Sequence, residues 1–186
     1  MAVVMAGMES EPWLERLRES LSALRRHNAA PVAVGGDVTF EVLLGAYCAR
    51  RLREIGAVDR AACDRLWPVR LYGRDSTVSL PGKAFVVGAN LLDAYDLTVP
   101  TVGALTSWDL LNYLMHSTLL LPVTDGPEYE PGVLIGLLFT SDRRRDEDVI
   151  DVRLTTLERL LSLFAEEAKS THAEASRVMA SLVEER

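Results

Sequence analysis

The chain has 186 residues, 48% hydrophobic and 25% charged, the proportions of one globular domain with room for extra helices. Its formal net charge of −7 argues against a nucleic-acid binder, which needs a basic face. No run reaches the roughly 18 uncharged apolar residues of a membrane span, and the opening MAVVMAGMES lacks the charged start and long apolar run of a signal peptide. A cytoplasmic protein without membrane partners is the expectation. Cys48 and Cys63 have no CxxC spacing and read as reduced, partly buried thiols.

The first helix is expected to start at Ser10 or Glu11, with Pro12 in its first turn, where a missing N–H costs nothing. Leu14, Leu17, Leu21 and Leu24 then form one apolar stripe on a charged helix. The segment 27–36 reads as a linker, so residues 1–36 form an N-terminal helix and linker. Asp37 is placed to cap a second helix with an apolar face from Phe40 to Ile55, ended by Gly56. The two arginine clusters, Arg50, Arg51 and Arg53 on this helix and Arg143 to Arg145 further on, read as solvated charge. Over 58–80 the pattern allows two strands around a turn, or a short helix over DRAACDRLW. The segment 84–88 reads as a short buried strand or the start of a helix.

Ser107 is expected to cap the short helix WDLLNYLMH. The clearest signal follows it: strand STLLLPV, a turn-rich loop, and strand GVLIGLLFT. In the second strand Val133, Ile135, Leu137 and Phe139 face one way and Leu134 and Leu138 the other. Both faces are apolar, which predicts a central strand covered on both sides. SDRRRDEDVID reads as an exposed loop, including Asp146, Glu147 and Asp148. A long helix then carries a seam at spacings of four and three, through Ile150, Leu154, Leu157, Leu161, Phe164, Ala168, Thr171, Ala175, Val178 and Leu182. At about 1.5 Å per residue it spans roughly 50 Å, more than a small sheet can cover. The half beyond Lys169 must pack on the N-terminal helix or on the same helix of a second chain. Leu14, Leu17, Leu21, Leu157, Leu161, Phe164, Ala168, Ala175, Val178 and Leu182 are the candidate interface residues.

The expected class is α/β in the α+β sense, with a central, mainly antiparallel sheet flanked by helices and long helices at both termini. STLLLPVTDGPEYEPGVLIGLLFTSD resembles the paired central strands of the GAF family, with Gly132, Val133, Ile135 and Gly136 in the second strand. RLTTLERLLSLFAEEAKSTH is similar to that family's following helix, and KAFVVGANLLDAYDLTVPTV to its turn, helix and extended stretch. The resemblance covers about 37–172 and implies a GAF-like domain over 37–168, with 169–186 as an extension of the last helix. PAS, longin and roadblock-type modules share much of the pattern. The family's chemistries do not carry over. The loop after the hairpin has neither the Asn-Lys pair nor the Phe of cyclic-nucleotide binders, and the cysteines match neither bilin attachment nor methionine-sulfoxide reduction.

The three histidines, His27, His116 and His172, lie in separate elements without zinc-binding spacing, and no nucleophile or phosphate-loop motif is present. No metal, cofactor or catalytic residue is expected, so the chain reads as a non-enzyme. Trp108, Asn112, Tyr113 and His116 recur at helical spacing and can line one side of a pocket, and Lys83 follows a turn glycine where it can face a small anion. Two functions stay open. One is a regulatory or protein-interaction module that forms a homodimer, coiled-coil fashion, through its terminal helices or meets a partner protein. The other is a sensor holding a small ligand between the sheet and the segment 88–116.

Overall fold

The computed structural model describes residues 2–29, 37–78, 89–126 and 132–184. In chain order these form α1 (Ala2–Ala29), α2 (Asp37–Glu54), α3 (Arg60–Asp64), β1 (Leu66–Gly73), a 3₁₀ turn (Ala89–Ala94), β2 (Thr101–Thr106), α4 (Ser107–Met115), β3 (Ser117–Thr124), β4 (Leu134–Ser141), β5 (Asp148–Arg153) and α5 (Leu154–Glu184). The strands make one fully antiparallel sheet in the order β2-β1-β5-β4-β3. This is the α+β architecture expected from the sequence, with long helices at both ends. Within 58–80 the short helix forms, over RAACD only, and one strand, β1, follows it; Pro68 lies inside that strand, so the two-strand alternative is not met among the described residues. The expected buried segment 84–88 lies outside the described residues.

One sheet face is covered by helices. Trp67, Val69, Leu105, Leu137, Phe139, Ile150 and Val152 meet Leu157, Leu161, Phe164 and Ala168 of α5 in a single core, to which α1, α2 and α4 also contribute. The other face carries a smaller cluster. There Leu119 and Val149 pack with Leu91, Ala94 and Tyr95 from the 3₁₀ turn and the residue after it. The hairpin strand β4 is thus covered on both sides. Leu134 joins the helix-side core with Leu137, because a register shift between Val123 and Thr124 breaks the simple alternation. Its partner β3 lies at the sheet edge, where Pro122 is tolerated because one side of the strand has no ladder to complete.

The centre of the sheet is β5, over residues expected to form an exposed loop and the start of the last helix. Ile150 is a fully buried strand residue, and α5 begins at Leu154. Asp148 and Asp151 are 8% and 5% exposed, and each is matched by an arginine. Arg144 chelates Asp148, its Nε donating to Oδ1 at 2.7 Å, and Arg70 pairs with Asp151 from β1. A buried carboxylate is tolerated when a partner of opposite charge offsets its desolvation. Asp142, Arg143, Asp146 and Glu147 remain exposed as expected.

The terminal helices pack on one another along the same chain. Arg25 donates to Ser162 at 3.3 Å and His172 lies 3.4 Å from Glu11, so α1 and α5 run antiparallel. Leu14, Leu17, Leu21, Leu157, Leu161, Phe164, Ala168 and Ala175 are each no more than 4% exposed within a single chain. The side chains of Val178 and Leu182 lie outside the described residues. The Thr171 hydroxyl donates to the Ala57 carbonyl at 2.9 Å, tying the distal half of α5 to the turn after α2. α2 crosses this pair at Gly45, where an added Cβ would stand 2.9 Å from Leu161 Cδ1.

Two helix boundaries are instructive. α2 ends as expected at Gly56, whose φ of 79° suits only glycine comfortably. Its N–H donates to Arg53 O at 3.0 Å and that of Ala57 to Leu52 O at 2.8 Å, the paired bonds of a Schellman cap. α1, by contrast, starts before Ser10, so Pro12 sits inside the helix. The helix tolerates it there because the flanking turns are held by packing on α5. Phe164 is fully buried where α5 meets the sheet. Phe164→Ala is expected to cost about 3–5 kcal/mol in a urea unfolding curve, a large part of a typical domain's stability.

Candidate functional site

Helix α4 is short, and its start is fixed by side-chain hydrogen bonds. The N-cap is Thr106, one residue before the expected Ser107: its hydroxyl accepts from Asp109 N at 3.0 Å and bonds Asp109 Oδ2 at 2.7 Å. Ser107 is instead fully buried, and its hydroxyl accepts from the Trp67 indole N–H at 2.7 Å. Leu110, Leu111 and Leu114 turn into the core. The opposite side of α4 carries Trp108, Asn112 and His116 at spacings of four, with Tyr113 beside them. His116 is the C-cap, its N–H donating to Asn112 O at 3.0 Å.

All four of these residues line one cleft of about 290 Å³. That is close to the lower end of the ~300–1,000 Å³ typical of small-molecule sites. The remaining lining residues come from elsewhere: Arg50 on α2, Ser141 at the end of β4 and Arg143 in the turn before β5. The cleft therefore lies between α2, α4 and the β4–β5 turn, on the helix-covered side. Residues of the segment 88–116 and of the sheet strand β4 thus both line it, with α2 and the β4–β5 turn added. Lys83 lies outside the described residues.

The walls are organised by arginines. Arg50 stacks over Trp108 at 5.4 Å and ion-pairs with Glu54 at 3.1 Å. Arg51 shares the same Glu54 carboxylate at 2.5 Å, and the two guanidinium groups hold that carboxyl below its usual range, Arg51 contributing most. The RRR run separates into three roles. Arg143 reaches the cleft with no hydrogen bond or ion pair among the described residues. Arg144 lies 5.4 Å from the Tyr113 ring while chelating Asp148, which raises the guanidinium pKa further. Arg145 is buried, its carbonyl accepting from the Tyr95 hydroxyl at 2.7 Å.

Ser141, which also lines the cleft, is fully buried, and its hydroxyl has no hydrogen-bond partner. Its carbonyl is used, accepting from the N–H groups of Arg144 and Arg145 at 3.0 and 2.9 Å. A buried hydroxyl left unpaired costs about 1–3 kcal/mol, so this one is a marker of a place where a polar group fits. Arg50, Ser141 and Arg143 escape sequence reasoning because each belongs to a different element. Two of them sit inside runs that read as solvated charge, and the turn that brings them to α4 exists only because β5 is a strand.

Cys48 and Cys63 are free and buried. Burial pushes the Cys48 thiol up to about 11, and it raises that of Cys63 as well. Among the described residues, no group of three or more His, Cys, Asp or Glu side chains is arranged to hold a metal ion, and no helix is long and apolar enough to cross a membrane.

Two outcomes follow from these environments. Ser107→Ala leaves the Trp67 indole N–H without its acceptor and is expected to destabilise the fold by about 1–3 kcal/mol in urea melts. For Cys48, the native thiol keeps its proton where an unfolded one ionises above about 8.5. Its contribution is whole below that pH and is lost as pH rises through about 11. The stability gap between wild type and Cys48→Ala is expected to narrow over that interval; a constant gap contradicts the shifted thiol.

No family model matches this chain, and neither a curated protein nor a solved structure matches it.

Proposed function

We propose that this chain is a non-catalytic regulatory module of GAF-like build that binds a small molecule in the cleft between α2, α4 and the β4–β5 turn. The observation that carries the proposal is convergence. Four α4 residues picked out by spacing meet Arg50, Ser141 and Arg143, from three other places in the chain, around one cleft. The buried hydroxyl of Ser141 waits there without a partner. The GAF-like part of the reading leans on the residues that carry the resemblance, which form the adjacent strands β3 and β4 and the long helix α5.

The second reading, a homodimer through the terminal helices or a protein partner bound there, is the weaker. Among its described side chains, which reach Ala175, the apolar seam that motivates it is buried within the same chain. A dimer through that seam requires α5 to exchange between chains.

The test is thermal unfolding against a panel of nucleosides, nucleotides, sugars, amino acids and small organic acids. A ligand present at about one hundred times its Kd stabilises the native state by about 2.7 kcal/mol. At least one class is expected to raise the Tm of the wild type, with the shift lost in both Trp108→Ala and Asn112→Ala. A flat response across the panel contradicts the proposal.

A further inference from the structure

We infer that the ligand of this cleft is a small anion, carrying a carboxylate or phosphate group. The inference rests on the small-molecule reading above and narrows it to one chemical class. The chain as a whole carries a formal charge of −7, yet no Asp or Glu lines this cleft and two arginines do. Arg50 is only half compensated, because its carboxylate partner Glu54 also serves Arg51. Arg143 has no ion pair or hydrogen bond among the described residues. Two guanidinium groups facing a small, partly enclosed space concentrate positive potential there. Their planar fork fits the oxygen pairs of carboxylates and phosphates.

The uncharged groups point the same way. The Ser141 hydroxyl is fully buried, unpartnered and able to donate to a ligand oxygen. The amide of Asn112 and the hydroxyl of Tyr113 add further donors around the same space. A neutral ligand can satisfy Ser141 but draws nothing from the charge of Arg143, which lies exposed at the cleft, and a cation is repelled. The indole of Trp108, stacked by Arg50, supplies one apolar wall for the body of the ligand. A second cleft between α1 and α5 makes the contrast: it is lined by Arg25, Arg65 and Arg159 but also by Glu158 and Glu166, so it offers an anion no comparable excess of positive charge.

The experiment is isothermal titration calorimetry at low ionic strength with inorganic phosphate and with succinate. Variants Arg143→Gln, Ser141→Ala and, in the other cleft, Arg159→Gln are titrated alongside the wild type. The wild type is expected to bind at least one of the two saturably, with a millimolar or better Kd. Arg143→Gln is expected to weaken it about tenfold, through loss of one charge-assisted contact. Ser141→Ala weakens it by a smaller factor and melts no lower than wild type, since the hydroxyl it removes has no partner in the protein. Arg159→Gln leaves binding unchanged. The ratio of the two affinities tells which anionic group the cleft prefers.

The inference is overturned if neither probe binds, or if both bind Arg143→Gln as tightly as wild type. The thermal panel separates the two levels. If neutral sugars or nucleosides stabilise wild type but not Trp108→Ala while anions do nothing, the cleft is a ligand site of another class. If no compound of either kind acts, the small-molecule reading falls together with the anion.

Discussion

The packing of α5 against α1 is the contact on which the rest of the molecule depends. A helix of 31 residues rises about 46 Å, well beyond what a five-stranded sheet of short strands can cover. Its apolar stripe needs a second surface along its whole length. Among the described side chains of the stripe, which reach Ala175, that surface comes from within the chain, the leucines of α1 included. The first half of α5 then seals one sheet face, and the second half is held by α1 and by the bond from Thr171 to Ala57. With α1 and α5 fixed, α2 crosses them closely at Gly45 and carries α4 on its outer side. The cleft is what remains between α2, α4 and the end of the sheet.

The same arrangement explains how a strand with two aspartates becomes the centre of the sheet. β5 enters directly from a tight turn whose arginines serve both sides. Arg144 neutralises Asp148 and braces Tyr113, while the Arg145 carbonyl holds the Tyr95 hydroxyl under the opposite face. Arg143, between the strand end and this pair, is left facing the cleft. One three-residue run thus stabilises the central strand and equips the candidate site. Destabilising this turn is therefore expected to couple to the cleft, since both use the same backbone.

What could be read from the sequence was what depends on local period and local turn chemistry. The leucine stripe of α1, the end of α2 at Gly56, the hairpin strands β3 and β4, and the grouping of Trp108, Asn112, Tyr113 and His116 all follow from spacings of two, three or four. What could not be read depends on partners distant in sequence. Asp151 marks a loop unless Arg70 is known to meet it. Pro12 marks a helix start unless the turns around it are packed on another helix. The last-helix seam was legible, but its partner was open between α1 and a second chain, because a heptad pattern does not specify which surface fills it. Arg50, Ser141 and Arg143 had no signal at all, since a cleft built from three elements has no period.

The central claim is that the described seam of α5, as far as Ala175, is buried inside its own chain, which makes the cleft rather than the seam the proposed site. Light scattering after size exclusion tests it most directly, on the full chain and on a version ending at Ser170. The account predicts that the full chain is a monomer. It also predicts that the shortened chain is a monomer of lower Tm, having lost the Thr171 bond and the buried Ala175. A full-length dimer that becomes a stable, well-folded monomer on truncation would contradict it.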